Sequence, residues 1–400
     1  LIFFLLSKKN LIFFKNLKKE IIFFFILYFL ILLSLIFSNY KEDSFLASFF
    51  YFRYFLLSLA IYYLLKKYDF YLKILFYSVL IGTGIVVFDA YIQQFFGYNT
   101  FGYSKIGTLQ RDSLIYLTGF FDEEKKLGSY VVRFLPLVLS LLIFFKTKRK
   151  TFIESTILIL SGIIVFFSSE RTALFLLFII YFFYFFISNH KIFFLTTVLV
   201  SFIILFNYSS NSKLTKKYID FTLHQTGLIN FFKKDVAEEY KAFEKNSLLR
   251  YYSEEHENLS YTGLIIFQNN YFFGSGVKTF YNECENIKKK FIKKKTKRNN
   301  KLVCSTHPHN TYIQILSEIG IFGFILIAYF FIKVLINNIK IILKKNKSNL
   351  DNVYFLLNLN IVVNIMPLIP SGSFFNNWMS LIIFFPLGFW LYINEKYYQK

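Results

Sequence analysis

Ser305-Thr306-His307-Pro308-His309-Asn310-Thr311-Tyr312 runs straight into Ile313-Gln314-Ile315-Leu316-Ser317-Glu318-Ile319-Gly320-Ile321-Phe322-Gly323. This stretch decides the fold because a polar loop becomes an apolar helix within it. Two of the five histidines in 400 residues stand at that transition, where water, lipid headgroups and fixed protein donors meet. Pro308 bars helix before it and fixes the entry of the chain. Beyond it, Asn310, Gln314, Ser317 and Glu318 recur at i, i+4, i+7 and i+8, on one helical face. Ile313, Leu316, Ile319 and Phe322 supply apolar surface, and Gly320 and Gly323 permit close helix approach. The pattern predicts one span over residues 311–336, whose N-terminal N–H groups and dipole suit an anion such as a diphosphate. His309 then stands at a helix start, either as a partly desolvated proton-transfer group or as a capping histidine.

Working outward, the chain is 55% hydrophobic and 22% aromatic, more apolar surface than a soluble domain needs. The apolar residues fall in runs of about 18–25, the length of bilayer-spanning helices. About ten spans are expected, near residues 21–37, 45–65, 74–96, 130–145, 152–168, 171–188, 192–208, 311–336, 353–369 and 375–393. Alternate loops (7–20, 66–73, 146–150, 188–191, 338–347, 394–400) hold 19 Lys plus Arg. The short loops of the other set (38–44, 97–129, 168–171, 370–374) hold 6. The positive-inside rule places the first set in the cytoplasm, and His307 and His309 outside. The predicted fold class is an all-α polytopic membrane protein with one large, partly helical outer loop. Residues 1–208 form an N-terminal membrane bundle, 209–310 the outer loop and 311–400 the C-terminal membrane helices. The chain begins at Leu1, which fits a fragment or an unusual start, and no cleavable signal peptide is expected.

The formal net charge of +22 is cytoplasmic anchoring plus one run, Lys288 to Arg298, in the large loop. Nucleic acid is therefore not the expected partner; the run reads as a solvated tip or a patch for anionic lipid. Cys284 and Cys304 flank it. In an oxidising compartment they are expected to pair, and closing such a loop contributes roughly 3 kcal/mol. A metal site competes, but Cys304-x2-His307-x-His309 is not the usual zinc spacing, so neither metal nor cofactor is expected. Among charges at membrane depth, Arg53 and Asp89 are expected as a buried pair. Glu170-Arg171 fill a hairpin between spans on the outer face, shared by Arg111, Asp122 and Glu123. A two-span turn does not need arginine, so Arg171 is a functional candidate.

His307-Pro308-His309-Asn310-x9-Gly320-x2-Gly323 resembles the motif of the O-antigen ligase and O-antigen polymerase superfamily of polytopic membrane glycosyltransferases. Three other stretches are similar to the same family. One is Gly119-Phe120-Phe121-Asp122-Glu123, with Gly128-Ser129-Tyr130 and Arg133-Phe134-Leu135-Pro136. The others are Ser169-Glu170-Arg171-Thr172-Ala173 and Asn270 to Phe280 with its Gly274-Ser275-Gly276. The resemblance implies a bacterial inner-membrane enzyme with a periplasmic active face. Its donor would be a glycan on undecaprenyl diphosphate and its acceptor lipid A–core or another glycan, amid membrane lipids.

Carried over by residue, His309 matches the catalytic histidine, a general base toward the acceptor hydroxyl, with His307 lining the site. Arg171 matches an arginine gripping the donor diphosphate. A second arginine of the family, seven residues before the small residue aligned with Gly263, is His256 here, with Arg250 nearby but out of register. A ligase acting on lipid A–core leads; the O-antigen polymerase and the protein O-oligosaccharyltransferase of the same superfamily are alternatives. A polytopic transporter is the reading from another class, but no inverted repeat is visible.

Overall fold

The computed structural model describes residues 12–104, 106–108, 112–145, 150–188, 190–210, 222–226, 228, 252–293 and 302–398. In chain order, the helices are α1 (Lys18–Phe37), α2 (Lys41–Phe49), α3 (Phe52–Lys67) and α4 (Asp69–Phe96). A short antiparallel hairpin follows, β1 (Ile106–Thr108) and β2 (Asp112–Tyr116). Then come α5 (Leu127–Phe144), α6 (Lys150–Phe167), α7 (Arg171–Ile187), α8 (Lys191–Ser210) and α9 (Thr222–Gln225). The chain closes with α10 (Glu254–Asn269), α11 (Phe280–Lys293), α12 (Thr311–Ile319), α13 (Ile321–Leu343), α14 (Asn349–Asn364) and α15 (Asn377–Tyr398).

Among the described residues, six stretches are long and apolar enough to cross a membrane: Phe14–Phe37, Lys41–Lys67, Asp69–Phe96, Leu127–Phe144, Ile321–Leu343 and Asn377–Tyr398. Thr151–Phe167 and Arg171–Ile187 are apolar but shorter. The protein is a helical, multi-pass membrane protein.

Two of the expected spans differ for visible reasons. The span over 311–336 is broken at Gly320, whose φ of +84° ends α12 and lets α13 begin. The expected span over 353–369 is instead α14, ending at Asn364 ahead of Pro367 and Pro370. Asn352, Asn358, Asn360 and Asn364 are all buried on it, so its amides serve packing inside the protein rather than lipid contact.

The chain forms two compact units. The first comprises Leu1–Lys67, Gln225–Val334 and Ile365–Lys400. Within it α3 packs on α15: Ser58 Oγ donates to the Phe384 carbonyl at 2.5 Å, and Lys66 pairs with Glu395 at 2.7 Å. A separate small core joins α10, α11 and the strap before His307, through Leu259, Ile266, Phe280, Ile287 and Leu302. The Cys284–Cys304 disulfide lies in it, with Cα atoms 5.6 Å apart. Covalent closure there holds the strap on α11, where six apolar residues alone make a small core.

The second unit comprises Tyr68–His224 and Leu335–Asn364. Its centre is α5, buried along nearly its whole length. Arg133 of α5 donates Nη1 to the carbonyls of Val363 and Asn364 and to Asn364 Oδ1 at 3.2–3.3 Å, and Asn360 Nδ2 donates back to the Arg133 carbonyl. A buried guanidinium is tolerable when such acceptors satisfy it.

Arg53 and Asp89, expected as a buried pair, each have other partners. Arg53 is exposed and donates to Asn377 Oδ1 at 2.8 Å. Asp89 is buried and accepts from Asn99 Nδ2, Thr100 N and Thr100 Oγ1. Uncharged donors of the following loop, close in sequence, satisfy the carboxylate without a guanidinium.

Candidate functional site

In the first unit, the residues around His309 are held by three devices. The first is backbone conformation. His309 has a φ of +52°, in the left-handed region that non-glycine residues seldom occupy. Such a conformation costs of order 1–3 kcal/mol and persists only where the surroundings over-determine it. Here the Ser371 N–H donates to the His309 carbonyl at 2.8 Å.

The second device is the cap of α12. Asn310 Oδ1 accepts from the N–H groups of Tyr312 and Ile313, and its Nδ2 donates to the Pro367 carbonyl at 2.8 Å. The asparagine after the histidine is therefore an N-cap that also ties α12 to the loop ahead of α15. This corrects the expectation of free N–H donors at the helix start, because the cap already occupies two of them.

The third device is close packing permitted by glycine. A Cβ on Gly263 of α10 would lie 2.4 Å from Ile313 Cγ2 and 3.6 Å from Pro308 Cβ. Its absence lets α10 seat against the start of α12, beside the two histidines. At the other end of α12, a Cβ on Gly320 would lie 2.2 Å from the Phe272 carbonyl oxygen. The Gly274-Ser275-Gly276 stretch docks on the same end: Ser275 N donates to the Ser317 carbonyl and Gly276 N to that of Glu318. Its backbone donors are consumed by the fold, which gives this glycine pair a clamping role.

The polar face of α12 is likewise occupied. Gln314 donates to Glu318 Oε2 and Ser373 Oγ, and its Oε1 accepts from Phe374 N. Thr311 Oγ1 lies 2.9 Å from Ser371 Oγ. Glu318 is fully buried, and burial pushes its carboxyl up to about 8.

These devices bring three imidazoles together. The rings of His307 and His309 are 4.1 Å apart between centroids, and His256 meets His309 edge-on at 5.7 Å. His256 sits in the first turn of α10, where Ser253 caps the helix by accepting from His256 N, and Ser253 Oγ lies 2.6 Å from His256 Nδ1. That contact constrains the rotation of the ring. Burial, with His309 alongside, lowers the His307 pKa to about 4. Burial also lowers His309, while Glu255 opposes the shift. Both rings are thus neutral at pH 7, as a proton acceptor must be.

In the second unit, Glu170 and Arg171 occupy the hairpin between α6 and α7. Ser169, just before them, has a φ of +60°. Glu170 is buried and turns back onto the N-terminus of α5: it accepts from Gly128 N at 2.6 Å, Ser129 N at 3.0 Å and Ser129 Oγ at 2.6 Å. A Cβ on Gly128 would lie 2.3 Å from Ser168 Oγ, so glycine is required for the approach. Burial raises the Glu170 pKa to about 7, and the hydrogen bonds from Ser129 and Gly128, with Arg133, pull the other way. Two separate sequence stretches, Gly128 to Arg133 and Ser169 to Arg171, become one site here. Arg171 opens α7 directly after this anchored carboxylate and is itself half-buried.

His256, His307 and His309 are brought together in the first unit; Arg171 belongs to the second. Arg111 and Arg250 lie outside the described residues. Sequence reasoning passed over Glu170 as a helix cap and Ser253 as a partner of His256. The first had a signal: α5 opens on Leu127-Gly128-Ser129 after Lys126, which supplies no capping side chain. No group of three His, Cys, Asp or Glu suited to a metal ion occurs among the described residues.

Residues 156–328 match the family model described as O-antigen ligase. The match takes in Arg171, His256 and His309, and α5 precedes it. No curated protein matches the chain.

Proposed function

Because residues 156–328 place this chain in the O-antigen ligase superfamily of membrane glycosyltransferases, whose substrates are lipid-linked glycans, we propose that it is a ligase. In this reading it moves a glycan from undecaprenyl diphosphate to lipid A–core on the periplasmic face of the inner membrane. The observation that carries the proposal is His309: an imidazole held on a left-handed backbone and flanked by two further imidazoles.

In the step proposed, a hydroxyl of the acceptor sugar attacks the anomeric carbon of the donor. A ring nitrogen of His309 takes the hydroxyl proton as the new glycosidic bond forms. The bond from the anomeric carbon to the diphosphate oxygen breaks, and the lipid diphosphate leaves with that electron pair. Arg171 binds the diphosphate as negative charge grows on it, by charge-assisted bonds. His256 occupies the sequence position at which the family resemblance implies a second arginine for the phosphates. Unlike arginine it binds anions well only when protonated, so donor affinity is expected to rise as pH falls.

The test is transfer by the purified protein, offered lipid A–core and a second lipid-linked glycan as rival acceptors. Extension of lipid A–core is expected. Extension of the lipid-linked glycan alone identifies the polymerase, and unchanged transfer by His309→Ala removes the base assigned here.

A further inference from the structure

The short turn between α10 and Gly274 carries three consecutive aromatics, Tyr271-Phe272-Phe273, and packing inside the protein does not account for them. Tyr271 is 48% exposed and Phe272 58%. Phe37 at the end of α1 and Phe322 at the start of α13 are exposed beside them, at 57% and 45%. The rings form one patch: Phe37 stacks on Phe273 at 4.6 Å, Phe272 lies 6.1 Å from Phe322, and Tyr271 lies 4.8 Å from Phe267.

The position of the patch along the chain matters more than its area. Phe37 closes the candidate span Phe14–Phe37, and Phe322 opens the candidate span Ile321–Leu343. The turn is locked to that second junction by the backbone, since Ile321 N donates to the Tyr271 carbonyl at 3.0 Å. Gly320 admits the Phe272 carbonyl to a place that a Cβ would fill. The aromatics therefore stand at the ends of two candidate spans, continuous with the exposed apolar surface of those helices. Rings with an apolar body belong at such a boundary, where water gives way to acyl chains.

We propose that the Tyr271–Phe273 turn is an interfacial anchor whose partner is the lipid bilayer, at the boundary between headgroups and acyl chains. It ties the foot of α10, the helix that carries His256, to the membrane surface. The proposal depends on the spans and not on the transfer chemistry.

The test uses the full chain with its two tryptophans replaced, Trp378→Phe and Trp390→Phe, and Tyr271→Trp as reporter. It is reconstituted in phosphatidylcholine vesicles whose acyl chains carry bromine at increasing depth. The expected result is blue-shifted emission that is lost most strongly to bromine nearest the headgroup and little to aqueous iodide. Emission quenched by iodide and indifferent to every brominated lipid overturns the proposal. So does a shift that appears only on adding a glycan acceptor, or only at high protein-to-lipid ratio, because sugar or a second copy is then the partner. Phe272→Trp in the chain with its native tryptophans, read as the increment over native emission, gives the same decision without the tryptophan replacements.

Discussion

Around His309 the chain uses neutral imidazoles, a left-handed backbone and glycine contacts; around Glu170 it buries a carboxylate and turns it onto the start of a helix. Both arrangements remove ionisable groups from water, and the penalty falls on opposite protonation states. Burial disfavours the charged form in each case, which means the protonated imidazole at His307 and the deprotonated carboxylate at Glu170. The same physical cause therefore gives the two sites opposite responses to acid. It also divides the expected labour, because a neutral imidazole can accept a proton while a helix start held by a carboxylate can fix an arginine.

The largest expected effects separate the two sites by kinetics. His309→Ala is expected to lower kcat by about 10²–10⁴-fold, the usual worth of general base catalysis, with little change in donor KM. Arg171→Ala is expected to raise donor KM as well as lower kcat, and Arg171→Lys to recover part of the binding. Steady-state transfer assays with each variant check this; identical kinetic patterns would dissolve the distinction between the sites.

Next comes the disulfide, which belongs to the histidine side alone. Cys284→Ser with Cys304→Ser is expected to cost about 3 kcal/mol for a closed loop of this length. Thermal unfolding in detergent, with and without reductant, measures it. Reductant should reproduce the loss in the native chain and leave the double variant unaffected.

The opposite responses to acid give a third test. His307 has a folded pKa near 4, below its ordinary 6.5, so its stability is full above pH 6.5 and is lost as pH falls toward 4. Glu170 has a folded pKa near 7, above its ordinary 4.5, so its contribution is present below pH 4.5 and is lost as pH rises toward 7. Each slope is up to about 1.4 kcal/mol per pH unit inside its window. His307→Gln should lessen the acid loss, and Glu170→Gln should lessen the loss on the way to neutrality. Melting midpoints between pH 4 and 8 read both, and slopes of the same sign refute the comparison.

The smallest effect is expected at Ser253. Ser253→Ala removes a helix cap, a loss of about 1 kcal/mol, and frees the His256 ring. Ser253→Thr should restore both. The pH dependence of donor KM distinguishes a cap alone from a cap that also orients His256, because only the second moves the profile.

The helix start beside the candidate site was legible in local spacing. His307-Pro308-His309 before an apolar run marks a helix start, since proline excludes helix; that Asn310 caps it emerged only in the structure. The pairing of Cys284 with Cys304 is a matter of two residues and a compartment, and the disulfide stands in the structure. What was not legible is where polar groups spend their hydrogen bonds. Asn310 takes two of the N–H groups at the start of α12, Arg53 meets Asn377 at the start of α15, and the partners of Asp89 come from the following loop; no periodicity predicts these contacts. The expected span bounds shifted at Gly320 and at α14 for a related reason. Hydropathy averages over a window, so a single left-handed glycine or a row of buried amides disappears in it.

By itself, the sequence determined that this chain crosses a membrane and which histidines stand at a helix start. These follow from transfer free energies and local steric rules, which neighbouring residues already contain. Only the tertiary structure decided that His256 joins His307 and His309, that Glu170 caps α5, and that the aromatic turn meets the ends of α1 and α13. Those outcomes depend on contacts between residues far apart in the chain, where burial sets each group's charge and the absence of a Cβ sets how near two backbones can come.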